Sequence, residues 1–166
     1  MRPEFPKRQL ETALVHKPCW YTAAGESTGS QFDLFLGGKV RRERPLQNTR
    51  LSEEARQYSS EFSLIVSCAW RLDGPDGPIT GWREPNEHDG PMVNGLAQLV
   101  GESIRGVRVD EPAWDLEIVF TGGKTLRVFC DLTKESDGEG TNWFVLGPAG
   151  FQISVEQGGD WTDHDE

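Results

Sequence analysis

The sequence predicts an α+β fold, mainly β: a twisted antiparallel sheet, or a partly closed barrel, of about seven to nine strands with one or two short helices. Three observations predict it. In EFSLIVSCAWRL, Phe62, Leu64, Val66, Cys68, Trp70 and Leu72 fall on alternate positions, the two-residue period of a strand. WDLEIVF and TLRVFCD repeat that rhythm on either side of TGGK, which reads as a hairpin. Helix signals are confined to two short stretches, residues 49–58 and 93–103.

Taken in order, residues 1–11 are polar and Pro-containing and are expected to be loose. Ala13–Val15 and Cys19–Ala23 read as short strands or strand ends, separated by Pro18. Residues 24–30 form a turn by composition, and Phe32, Leu34 and Leu36 then alternate along a strand that bends at Gly37-Gly38. The basic run KVRRERP, residues 39–45, reads as a solvated edge strand or loop. In TRLSEEARQY, Ser52 serves as N-cap, Glu53 and Glu54 suit the positive end of the helix dipole, and Arg56 suits the other end.

EFSLIVSCAWRL is the central strand, with Glu61, Ser63, Ile65, Ser67, Ala69 and Arg71 on its more polar face. It ends in the turn cluster DGPDGP, and Ile79–Trp82 returns as its hairpin partner. Leu96, Leu99 and Val100 lie at helical spacing in the second helix, capped by Asn94 and closed by Gly101. Residues 104–110 form a strand with a bulge at Gly106. In the hairpin that follows, burial selects a register pairing Phe120 with Leu126, Ile118 with Val128 and Leu116 with Cys130, so that both apolar rows share a face. Residues 142–148 and 151–155 are the last strands, and the acidic tail from Glu156 is loose unless Trp161 docks.

The chain has 166 residues, 36% hydrophobic and 27% charged, which fits a single domain spanning 1–166 with loose ends at 1–11 and 157–166. No apolar run approaches a membrane span and no signal-peptide pattern opens the chain, so the expected location is cytoplasmic. Cys19, Cys68 and Cys130 are odd in number and widely spaced, which predicts reduced thiols acting as small hydrophobes. A formal charge of −10 disfavours nucleic acid and favours a basic partner.

No nucleophile elbow, phosphate loop or dinucleotide fingerprint is present, so no catalytic residue and no cofactor are assigned. Glu84, Glu87, His88 and Asp89 gather on one polar loop, and Asp137 and Glu139 on another. Neither set has metal-ligand spacing, so both are read as ligand or partner contacts and no metal is assigned. Arg71 emerges opposite Trp70, placed for an ion pair or a ligand.

The alternating strand ending Cys-x-Trp-Arg and the later block LVGESIRGVRVDEPAWDLEIVFTGGKTLRVFCD with NWFVLGP resemble an uncharacterised family of small bacterial proteins. The resemblance spans roughly residues 60 to 148. That family has no assigned reaction. Relatives of its type occur among mobile genes and beside toxin genes, so the resemblance implies an immunity or accessory role. The expected function is therefore a non-enzymatic acidic binding protein, immunity-like, that masks a basic protein partner. The alternative is a small-ligand binder or enzyme with a Trp-lined pocket between the sheet and the 93–103 helix. A self-associating β protein, forming a homodimer, is the third reading.

Overall fold

A computed structural model describes residues 3–133 and 140–164. In chain order its elements are α1 (Lys7–Leu14), β1 (Cys19–Ala23), β2 (Phe32–Arg41), α2 (Glu53–Gln57), β3 (Tyr58–Val66), β4 (Ala69–Gly74) and β5 (Gly77–Gly81). They continue with α3 (Pro91–Ala97), β6 (Ile104–Asp110), β7 (Asp115–Phe120), β8 (Thr125–Phe129), β9 (Thr141–Leu146), β10 (Gln152–Glu156) and β11 (Trp161–His164). The fold is α+β and mainly β. Among the described residues, eleven strands form two antiparallel sheets rather than one sheet of seven to nine strands, and there is no closed barrel. One sheet runs β1-β2-β3-β9-β10-β11 and the other β5-β4-β8-β7-β6.

The expected central strand is really two. β3 belongs to the six-stranded sheet and β4 to the five-stranded one, and the chain crosses between them at Ser67-Cys68. The alternation survives the crossing. Phe62, Leu64, Val66, Cys68, Trp70 and Leu72 are all buried, while Ser67 at the corner is exposed. One apolar row thus lines both walls of a shared core. Opposite it, Leu116, Ile118, Phe120, Leu126 and Val128 complete the five-stranded wall, and Trp143, Val145, Ile153 and Val155 the six-stranded one. Burying such side chains contributes roughly 1.5–3 kcal/mol each before entropy is charged.

The hairpin register differs from expectation by two residues. Ile118 pairs with Leu126 and Leu116 with Val128, and the loop is Thr121–Gly123, with Gly122 at φ 77° and Gly123 at φ 76°. A two-residue slide keeps both apolar rows on one face, so burial alone does not decide it. The outer face does. Here Glu117 stands directly opposite Arg127 and bonds it, where the expected register would have set Glu117 against Phe129.

The N-terminus is a second correction. Residues 7–14 are helical, with Leu10, Ala13 and Leu14 buried, so Ala13–Val15 is not a strand and Phe5 is not loose but 3% exposed. Phe5 stacks on Trp114 at 4.8 Å and meets Trp161 edge-on at 5.5 Å. Trp161 therefore docks, and the tail forms β11 against β10 rather than dangling. After α1, His16 donates to Ile104 O, Ile104 to Lys17 O and Cys19 to Glu102 O, which ties the start of β1 to β6 across the gap between the sheets.

The helix over 49–58 is α2, where the Ser52 side chain accepts from Ala55 N at 3.1 Å. The second expected helix is shorter than 93–103, and its N-cap is Gly90, not Asn94, whose amide instead donates to Asp89 O. α3 presses so closely on β5 that a Cβ on Gly95 would lie 2.5 Å from Thr80 Cγ2 and 2.6 Å from its Cβ. Thr80 is itself buried, so neither partner has room to yield. We expect Gly95→Ala to destabilise the fold by about 1–3 kcal/mol despite alanine's better helix propensity. Urea unfolding of the two proteins measures it, and equal midpoints would contradict the close approach.

Candidate functional site

The outer face of the five-stranded sheet is a charge ladder. Arg71 pairs with Asp73 at 2.8 Å, Asp73 with Arg127 at 3.0 Å, Arg127 with Glu117, Glu117 with Arg108 at 3.3 Å, and Arg108 with Asp110 at 3.1 Å. The Arg71 guanidinium also lies 5.5 Å from the Phe129 ring centre. Arg71, followed by Arg127, holds the Asp73 carboxyl below its usual range. Arg71 is thus engaged by neighbours on its own sheet, each such pair contributing little at this exposure.

Glu84, Glu87, His88 and Asp89 all stand exposed on the loop between β5 and α3. His88 Nε2 lies 3.3 Å from Asp89 Oδ2, with both side chains open to solvent. The loop is pinned at Asn86, which donates to Gly25 O at 3.1 Å and Gly29 O at 2.9 Å. Among the described residues no group of three His, Cys, Asp or Glu side chains is placed to hold a metal ion. Asp137 and Glu139 lie outside the described residues.

Met92 and Leu96 on α3, and Leu99 just beyond it, are buried in the same core cluster as Trp70. Three of the six Trp rings are anchored to backbone: Trp70 Nε1 donates to Ser30 O, Trp114 Nε1 to Gly159 O and Trp143 Nε1 to Trp114 O. Cys19 and Cys130 are poor nucleophiles. Burial pushes Cys19 up to about 12, and its neighbour Cys68 and burial push Cys130 up. All three are free, and a thiol held protonated is a poor nucleophile.

Two further features bring polar and apolar side chains together. One is the end of the molecule where three loops meet. Trp114 binds Gly159 O at 3.1 Å, Thr133 N binds Gln157 O at 3.0 Å, and Gln157 N binds Gly140 O at 2.9 Å. Buried Asn142 clamps the same corner: its Oδ1 accepts from Asp131 N at 3.0 Å and its Nδ2 donates to Asp131 O at 2.9 Å. On this fixed frame Leu132 is 54% exposed, and Glu111, Asp131 and Asp160 are exposed beside it.

The other feature is a pocket of about 240 Å³ on the outer face of the six-stranded sheet, lined by Asp33, Phe35, Arg42, Ser60, Ser63 and Leu146 among others. Asp33 and Phe35 point away from the core because Phe32, Leu34 and Leu36 point into it. Trp20 and Tyr21 pack edge-on against Phe35 at 5.2 Å and 5.1 Å. Ser60 and Ser63 share a hydrogen bond of 3.0 Å. Asp33 Oδ1 and Arg42 Nε are both buried without a hydrogen-bond partner. Burial pushes the Asp33 carboxyl up to about 7, against the opposing pull of Ser63 and Arg42.

Sequence reasoning missed Asp33, Arg42, Leu132 and Asn142. The signal for Asp33 was its place in FDLFL, a carboxylate between apolar residues on a strand with large side chains on both faces. No comparable signal marks Asn142, whose burial depends on tertiary pairing.

No family model, curated protein or solved structure matches the chain. Among the described residues, no helix is long and apolar enough to cross a membrane.

The Asp33 carboxyl makes stability depend on pH. In the unfolded chain it titrates near the ordinary value of about 3.9, and in the folded chain at about 7. Between roughly pH 4 and pH 7 the unfolded state gives up the proton while the folded state keeps it, so this group lowers stability as pH rises through that window and adds no further change above it. The upper limit is about 4 kcal/mol. Denaturation at pH 5 and pH 8 should show a smaller loss in Asp33→Asn than in the parent chain, and parallel profiles would show that the carboxyl is not buried as described.

Proposed function

We propose that this chain is a non-enzymatic binding protein that docks its acidic loop end onto a basic protein partner and masks it, in the manner of an immunity protein. The observation that supports this most is Leu132, exposed among Glu111, Asp131 and Asp160 on loops held by backbone hydrogen bonds. An apolar anchor with a charged rim is how protein interfaces divide their work: the anchor supplies affinity once desolvated, and the rim steers encounter and excludes wrong partners. Hydrogen bonds at Asp131, Thr133 and Gln157 hold this corner before any docking, which limits the ordering entropy lost. The charge of −10 gives the long-range attraction to a cationic surface, and salt within a Debye length of about 8–10 Å weakens it.

The test is a retention experiment at low ionic strength, with elution at high ionic strength and identification of the bound protein. A basic protein should be held by the parent chain and by Asp76→Lys, which changes net charge on the exposed β4–β5 turn. Leu132→Asp, and Glu111→Lys combined with Asp131→Lys, should lose it. Equal retention by all variants, or no basic protein retained by the parent, would remove the proposal.

A further inference from the structure

We propose that the outer-face pocket binds a small monocarboxylate with an apolar body, its carboxylate group held by the Arg42 guanidinium and the Ser60–Ser63 hydroxyl pair, and its body against Phe35 and Leu146. This site lies apart from the acidic loop end and stands whether or not that end docks a partner.

Three observations carry it. The first is unmet hydrogen-bonding capacity. Asp33 Oδ1 and Arg42 Nε are buried and unpartnered, yet both residues line the same pocket. Such atoms are uncommon in a folded chain; Trp20 Nε1, Arg56 Nε and Thr80 Oγ1 are others among the described residues, and Asp33 and Arg42 bring two of them to the wall of one pocket. The second is the local charge. Around Asp33 the charged or titratable groups are Arg42 at the end of the β2–β3 ribbon, Glu61 on β3 and the Cys19 thiol on β1, which burial keeps protonated. Glu61 is already bound to Lys17 at 2.8 Å. Arg42 is left with one weak bond, from its guanidinium to Ala55 O at 3.4 Å. With the Asp33 carboxyl protonated, it too is a donor, so the pocket offers one guanidinium, one acid O–H and the hydroxyl hydrogen that the Ser60–Ser63 bond leaves over to an anion. A single negative charge matches that set, whereas a doubly charged phosphate would be under-compensated by one cation. The third is the mixed wall. Phe35 is fixed edge-on by Trp20 and Tyr21, and Leu146 is 40% exposed at the rim. Such a wall favours an aromatic or short aliphatic body over a sugar. At about 240 Å³ the space suits a molecule smaller than a drug-sized ligand.

The arrangement contains its own competitor. Once Asp33 loses its proton, its carboxylate interacts with Arg42 across the same pocket and competes with the guest's. Binding therefore weakens with rising pH through the range where Asp33 titrates, about 7.

Calorimetric titration of the full chain with benzoate and with butyrate tests the site, with benzamide and inorganic phosphate in parallel. The expected result is saturable binding of at least one of the two acids at pH 6, with Kd rising about tenfold per pH unit above 7. Benzamide should bind at least tenfold more weakly than benzoate. Asp33→Asn should keep the binding and flatten its pH dependence, and Ser63→Ala should weaken it severalfold. Arg42→Gln should abolish it while near-ultraviolet circular dichroism confirms the fold; if that variant unfolds, the Asp33→Asn profile decides. No saturable binding of either acid to the folded parent, benzamide binding as well as benzoate, phosphate binding alone, or an unchanged pH profile in Asp33→Asn would each overturn the proposal.

Discussion

Everything in this fold depends on one apolar row that does not change sides when the chain changes sheets. Phe62 to Val66 line the six-stranded wall, Cys68 to Leu72 the five-stranded one, and the corner between them is a single crossing at Ser67-Cys68. If the phase slipped by one residue at the corner, β4 would turn Ala69, Arg71 and Asp73 into the core and Trp70 and Leu72 into water. Burying two charged side chains costs far more than the row returns. The alternation thus fixes the orientation of β4, and through β4 the faces of β8, β7 and β6. It also fixes which carboxylates and guanidinium groups lie outside to form the charge ladder.

That dependence explains what was legible in the sequence and what was not. Facing was legible almost everywhere, since it follows from a two-residue period and needs no partner. Sheet membership was not, because a continuous row looks the same whether the chain runs straight or turns a corner. The register of the β7–β8 hairpin was half legible. Burial fixes it modulo two residues, and the remaining choice rested on Glu117 meeting Arg127 across the outer face. The N-terminal helix was not read: Leu10, Ala13 and Leu14 lie at helical spacing, but the window is only eight residues, and Phe5 reads as a loose residue until Trp114 and Trp161 are brought to it. The caps went both ways. Ser52 behaves as its residue type predicts, whereas Gly90 supplanted Asn94 because Pro91 begins the helix earlier.

The candidate sites follow the same division. Loops such as residues 83–91 attract attention in a sequence because their polar residues are adjacent, and Glu84, Glu87, His88 and Asp89 do stand exposed there, with His88 3.3 Å from Asp89. The residues that do converge come from separate elements. Asp33 is on β2, Arg42 just past its end and Ser60 and Ser63 on β3; the acidic end draws on three loops with over forty residues of chain between the first and last. Charge partition sharpens this. The ladder on the five-stranded sheet spends three arginines on three carboxylates and is neutral as a unit. The surplus of acid is therefore borne by the rest of the surface, including the loop end, where Leu132 interrupts it with apolar area.

The two faces of the six-stranded sheet raise a separate physical question, namely why a strand with a fully buried inner row should carry Asp33 on its other side. An outer face of a sandwich is free to be wet, and the opposite sheet shows the ordinary solution, with long charged side chains paired to one another across the strands. Here the outer row is instead Tyr21, Phe35, Ser63 and Leu146, with Ile65 beside Asp33 buried almost as deeply as the core. An aspartate in that company must give up part of its hydration, which is what raises its affinity for a proton. Stability alone would be better served by an asparagine or a serine at that position, since either meets the same neighbours without a charge to desolvate. A carboxyl retained where it destabilises, next to an arginine whose Nε also lacks a partner, is the pattern expected when a fold gives up some stability to keep a pair of groups available for something outside itself.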